Sequence, residues 1–279
     1  MTSDLHRRQV RGDGAVAAVA PRRATIPLAY ARHVGSGPTI VLVHGNSSDR
    51  TLWNRVCEQL PRADMLAVDL RGHGRSPWAD PPAYATEDYA ADLAQTLQRL
   101  EVHEPVLVGH SNGALACCYL AAHLAPRPRA LVLVDIEPRV PDSQVAYFRQ
   151  RAGAVARPAT LQRLVDGMCS VDPEVPPALM KQFVQGLVRP ADGGVCLPLD
   201  PHTYAAWQPA DLRPHLGRVS MPVTLVRGAC SQVLSVEGAE AWCAGLPEAR
   251  LVTVEGAGHF LPLSHAAALA SLIAQAAAG

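Results

Sequence analysis

Six short apolar runs recur along the chain: "TIVLVHG" (39–45), "MLAVDL" (65–70), "PVLVGHS" (105–111), "ALVLVDI" (130–136), "PVTLVRG" (222–228) and "RLVTVEG" (250–256). They are continuous in Val, Leu and Ile and do not alternate with polar residues, which suits strands covered on both faces, as in a parallel sheet. Helical patterns stand between them. The segment "TEDYAADLAQTLQRL" (86–100) has Thr86 in a capping position, acids in its first turn, and Tyr89, Leu93, Leu97 and Leu100 at helical spacing. Strand and helix therefore alternate, and the expectation is a doubly wound α/β fold with a mostly parallel sheet and right-handed crossovers.

The alternation breaks between Pro138 and about His215. Two amphipathic patterns lie there among prolines and glycines, one through Leu161, Leu164, Val165 and Met168, the other through Leu179, Phe183 and Leu187. This predicts a core in two parts, 1–137 and 216–279, with a helical lid inserted at 138–215. An alanine-rich helix from about Ala266 is expected to cover the sheet. At 279 residues and 48% hydrophobic content, the chain can bury one sizeable core.

Twenty-five Lys and Arg balance twenty-five Asp and Glu. A chain of zero net charge has no electrostatic footprint for nucleic acid or an anionic membrane, so a small molecule is the expected partner; the oligomeric state is not encoded. The seven cysteines are odd in number, lack C-x-x-C spacing and mostly stand in apolar surroundings, which predicts free buried thiols and a reducing, cytoplasmic setting. The N-terminal "GAVAAVA" is too short and too poorly flanked for a secretory signal, and "RGD" at 11–13 is read as a coincidence of three letters.

The chemistry is concentrated in "VLVGHSNGALA" (106–116), where a strand runs into Gly109-His110-Ser111-Asn112-Gly113 and then into a helix. Two glycines let the chain turn sharply around a strained serine, whose hydroxyl then stands at the strand's carboxyl end and the helix's positive N-terminus. The plainer alternative is a serine that only caps the helix.

From about Ile26 to its C-terminus the chain resembles the α/β-hydrolase superfamily. Three further motifs carry the resemblance. "VLVHGN" (41–46) resembles the oxyanion loop, which implies that the backbone N–H groups of Asn46 and Asn112 would hold a tetrahedral oxyanion. "DLRGHGRS" (69–76) is similar to the loop after the next strand, with no catalytic part for His73. "EGAGHFLPL" (255–263) stands where the family keeps its histidine, which makes His259 the general base. No H-E-x-x-H or clustered Cys/His spacing appears, so neither metal nor cofactor is expected.

The third member of a triad is missing from its usual place. The resemblance puts an aspartate three or four residues after Gly228, where this chain has Ser231 and Gln232. An amide orients an imidazole imperfectly and hardly stabilises the imidazolium; in serine proteases the acid-to-amide change costs about 10⁴ in turnover. The resemblance offers a second place, the end of the strand after the nucleophile helix, where zearalenone-type lactonases and haloalkane dehalogenases carry their acid. A gapless comparison with the lactonase pattern puts Asp135 there, with Glu137 in reserve; a Ser–His dyad or a dead site remain the other readings.

The expected function is a serine hydrolase of carboxylesterase or lactonase type, cleaving a carboxylic ester, lactone or thioester of a small, mostly apolar substrate through an acyl-enzyme on Ser111. Phe148, Met168, Phe183, Tyr204 and Trp207 of the lid are candidates for its pocket, although apolar residues at helical spacing also serve as a lid's own core. The alternatives are a non-catalytic small-ligand receptor on the same fold and a C–C bond hydrolase.

Overall fold

Every residue of Val106–His110 and Ala130–Val134 is buried, because both segments lie inside a sheet covered on two faces. In this computed structural model, which describes residues 24–279, the sheet has seven strands. They are β1 (Tyr30–His33), β2 (Ser36–Val43), β3 (Ala63–Val68), β4 (Val106–His110), β5 (Ala130–Val134), β6 (Val223–Gly228) and β7 (Ala249–Val254). Their order is β1-β3-β2-β4-β5-β6-β7, with β1 antiparallel to β3 and all other neighbours parallel. The longer helices are α1 (Thr86–Arg99), α2 (Asn112–His123), α3 (Asp142–Val155), α4 (Leu161–Val171), α5 (Pro177–Leu187), α6 (Val236–Gly245) and α7 (Ala266–Ala278). The "GAVAAVA" run and the RGD triplet lie outside the described residues.

Alternate strand residues feed two cores. Leu107, Leu131 and Leu225 pack with Leu93 of α1, Leu115 of α2 and Trp242 of α6. Val106, Val108 and Val132 pack with Leu269 and Ile273 of α7 on the other face. Two segments depart from the sequence reading. β7 is an edge strand with one neighbour, and Leu251 is 40% exposed although its run is as apolar as the central ones. β1, "YARH", carries no strand pattern and is exposed throughout, because it only closes the opposite edge.

The inserted segment is helical, and Val165, Met168, Met180, Phe183, Val184 and Leu187 extend the second core. α3 has no fully buried residue, so its sequence lacks the apolar stripe that α4 and α5 show. The chain rejoins the core before His215. Trp207–Gln208 pairs with Tyr84–Ala85, and Leu212 and Leu216 sit in the first core. Thr86 does not cap α1: its Oγ1 accepts the N–H of Ala210, and Asp88 caps by accepting the N–H of Ala85. Asp200 docks the insertion below, accepting from the Tyr84 hydroxyl and the His202 N–H while its own N–H reaches the Gly72 carbonyl.

All seven cysteines are free: Cys117 and Cys118 are buried, Cys230 is exposed and the others lie between. Among the described residues no helix is long and apolar enough to cross a membrane.

Candidate active site

Ser111 stands between β4 and α2 at φ 53° and ψ −125°, a conformation that side chains rarely adopt and that a tight strand-to-helix turn imposes. Its N–H is held by the Val134 carbonyl at 2.8 Å. The loop after β2 presses on it so closely that a Cβ on Gly45 would lie 2.7 Å from the Ser111 Cβ. Asn46 follows Gly45 on that loop, and Asn112 opens α2, whose first N–H groups have no acceptor within the helix. Of the two residues whose N–H groups are expected to face an oxyanion, Asn112 thus follows the serine and Asn46 follows the glycine pressed against it. The Ser111 hydroxyl makes no hydrogen bond to His259 or to any other described residue.

Asp135 leaves β5 at φ 55° and is completely buried. The His259 Nδ1–H donates to its Oδ2 at 2.8 Å, its Oδ1 accepts the Gly228 N–H at 3.1 Å, and the Ser231 hydroxyl donates to Oδ2 at 2.5 Å. The turn that lacks an acid therefore supplies donors to an acid one strand away. Gln232 is exposed at the same turn. Glu137, the reserve candidate, is not near the histidine. It accepts from the N–H (2.9 Å) and hydroxyl (2.7 Å) of Ser235, the residue that caps α6, because β5 has ended and the chain has turned toward that helix.

The His259–Phe260 peptide is clamped at both ends. Its carbonyl accepts from the His110 Nε2–H at 2.9 Å, and its N–H donates to the Asp172 Oδ2 at 2.6 Å. Asp172 comes from the insertion between α4 and α5, is 1% exposed, and packs so closely on Gly258 that any larger residue there would strike its carboxylate. Sequence reasoning missed Asp172, since nothing local distinguishes it from a surface acid.

Three more histidines surround the site, all neutral. Burial pushes His110 well below its usual range, with the neighbouring His259 adding to the effect. Burial lowers His44 to about 4; its Nε2 accepts the Leu70 N–H while Nδ1–H donates to the Gly45 carbonyl. His73 is lowered to about 3 by burial and by the His44 ring 5.2 Å away. It lines no reactive atom. Among the described residues no group of three His, Cys, Asp or Glu side chains is placed to hold a metal.

In the insertion, Phe148 stacks edge-on against both Tyr204 (4.8 Å) and Trp207 (4.9 Å). The Tyr204 hydroxyl bonds Ser47 in the loop after β2, and the Trp207 Nε1–H donates to the Asn112 Oδ1 at 3.0 Å. Phe183 packs near Phe260, and Met168 lies in the same core as both. Of the five candidates from the insertion, Trp207 thus meets Asn112 and Tyr204 meets Ser47, with Phe148 packed on both, whereas Phe183 packs near Phe260 and Met168 shares their core.

Known proteins share this architecture. A 2-(acetamidomethylene)succinate hydrolase from Mesorhizobium japonicum is 29% identical over 238 residues, covering 82% of this chain and 84% of its own. An N-formylmaleamate deformylase from Pseudomonas putida is 27% identical over 239 residues, covering 84% and 86%. The structure of an esterase from Mycobacterium tuberculosis superposes with a TM-score of 0.75 at 25% identity, covering 91% of this chain and 92% of that one. A model of the alpha/beta hydrolase family matches residues 40–272, and the chain belongs to that family.

Proposed function

We propose that this hydrolase cleaves a carboxylic ester, lactone or thioester of a small molecule through an acyl-enzyme on Ser111, without a cofactor, in the cytoplasm. His259 takes the Ser111 proton as the hydroxyl attacks the carbonyl, and returns it to the leaving group. The backbone N–H groups of Asn46 and Asn112 hold the oxyanion, and water activated by His259 then releases the acid. Asp135 keeps Nδ1 protonated, leaving Nε2 free as the base, and stabilises the imidazolium.

The observation that carries this reading is the 2.8 Å bond from His259 to Asp135, a carboxylate that also receives Gly228 and Ser231. Three donors converge on that carboxylate. The Ser111–His259 bond is the one contact still to form, and such bonds commonly tighten only when substrate is seated. Deformylation, named for the Pseudomonas relative, would use the same nucleophile and is the second reading.

The test is the rate at which a fluorophosphonate labels Ser111 in the wild type and in Asp135→Asn, with folding checked by circular dichroism. A fall of at least a hundredfold, roughly 3 kcal/mol, is expected. Rapid labelling indifferent to Asp135 would leave a Ser–His dyad, and no labelling of the wild type would turn the site into a ligand receptor.

A further inference from the structure

The side chain of Asn112 does something its backbone does not. It is 1% exposed, and the Trp207 indole holds it at 3.0 Å. An indole nitrogen only donates, so the amide oxygen must face Trp207 and Nδ2 must face away from it. That Nδ2 is buried and has no partner among the described residues. A buried N–H donor without an acceptor is destabilising, so its retention beside the nucleophile calls for a partner that comes and goes. Asn46, across the oxyanion site, shows the complementary state: its Oδ1 is buried with no donor. Both residues whose backbone would hold the oxyanion therefore carry an amide with one unpaired buried atom.

An acyl chain made only of carbon would leave both atoms unpaired. An acyl chain carrying its own oxygen would answer Asn112. Resting on the serine-hydrolase reading, we propose that Asn112 is a specificity-determining residue: its Nδ2–H, aimed by Trp207, reads an oxygen acceptor on the acyl side of the substrate, a few bonds from the scissile carbonyl. The substrate class becomes alkoxy-, hydroxy-, oxo- or amido-acyl compounds, and plain alkanoates become the poor substrates. A site built around a buried donor discriminates strongly against the analogue that lacks the acceptor, because the donor is then left unpaired.

The test compares p-nitrophenyl methoxyacetate with p-nitrophenyl butanoate, which differ by one oxygen in place of one methylene. The rate of p-nitrophenol release, burst or steady state, is measured for the wild type and for Asn112→Leu, which keeps the backbone N–H and the side-chain shape. Dividing the methoxyacetate preference of the wild type by that of the variant cancels the esters' unequal reactivity and any general damage from the substitution. The expected quotient is about tenfold or more, and a value under threefold overturns the proposal. Should the Leu variant not fold, Asn112→Ala and Trp207→Phe are measured in the same way against the same threshold. Hydrolysis of both esters without a quotient defeats this inference alone. Absence of both turnover and Ser111 labelling defeats the serine-hydrolase reading and this inference with it.

Discussion

Ser231 occupies the turn that lacks an acid, and its hydroxyl donates to the carboxylate of Asp135 on the neighbouring strand. One oxygen, Asp135 Oδ2, receives both Ser231 and His259. Position 231 is thus within one side chain's reach of the histidine. An acid can be moved back: in Asp135→Asn, adding Ser231→Asp should recover at least tenfold of the lost labelling rate. Ser231→Asp alone should instead lower stability, since two carboxylates crowded into a buried space cannot both ionise freely. Thermal unfolding and fluorophosphonate labelling of the three variants decide this, and a double variant no faster than Asp135→Asn would refute it.

Glu137 stands two residues from Asp135 and has a different task. Its carboxylate binds the N–H and hydroxyl of Ser235, whose own oxygen caps α6 by accepting from Gly238. Negative charge is favourable at that helix end. Glu137→Ala should cost about 1 kcal/mol of stability, read from urea unfolding, and leave the Ser111 labelling rate within about threefold. A hundredfold loss of labelling in a folded Glu137→Ala protein would mean that the wrong carboxylate has been assigned.

What could be read before the structure, and what could not, divides along physical lines. The strands β2 to β6, the elbow at Ser111 and the turn at His259 are local patterns of burial, glycine and chain order, so they are visible in the sequence. Asp135 is named by the resemblance to zearalenone-type lactonases, laid on a strand that is itself such a pattern. Asp172, Trp207 and Ser231 could not be assigned their partners, because each acts across the fold on a segment far away in the chain, as Asp172 does on Phe260, 88 residues on. α3 escaped for the opposite reason: it buries none of its residues fully, and burial is what writes periodicity into a sequence.

Asp172 makes the insertion part of the histidine's support. With His110 on the carbonyl and Asp172 on the N–H, the His259–Phe260 peptide has no freedom to rotate. Asp172→Ala removes one end of that clamp and leaves a buried N–H unpaired, which costs about 1–3 kcal/mol. The labelling rate and kcat should fall about tenfold with KM little changed, and Asp172→Asn, which keeps an acceptor oxygen, should recover most of the loss. A purely structural acid would lower stability in both variants while leaving kcat of the folded fraction intact.

The buried imidazoles set an acid limit on the fold. His44 and His73 are held at about 4 and about 3 by burial, against 6.5 for a free ring, and His110 is shifted the same way. The unfolded chain therefore binds protons that the folded one refuses as pH falls below 6.5. The stability these neutral rings support is complete above that pH and is lost progressively as pH falls toward about 4 at His44 and about 3 at His73. Protonation would also destroy an acceptor, since His44 Nε2 takes the Leu70 N–H. Urea midpoints should accordingly drop between pH 7 and pH 5, a range in which ordinary carboxylates with values near 4 have hardly begun to titrate. His73→Phe removes one titrating ring. It should flatten that slope even where the lost bond to the Arg71 carbonyl lowers stability at every pH. An unchanged slope in His73→Phe would assign the acid sensitivity to other groups.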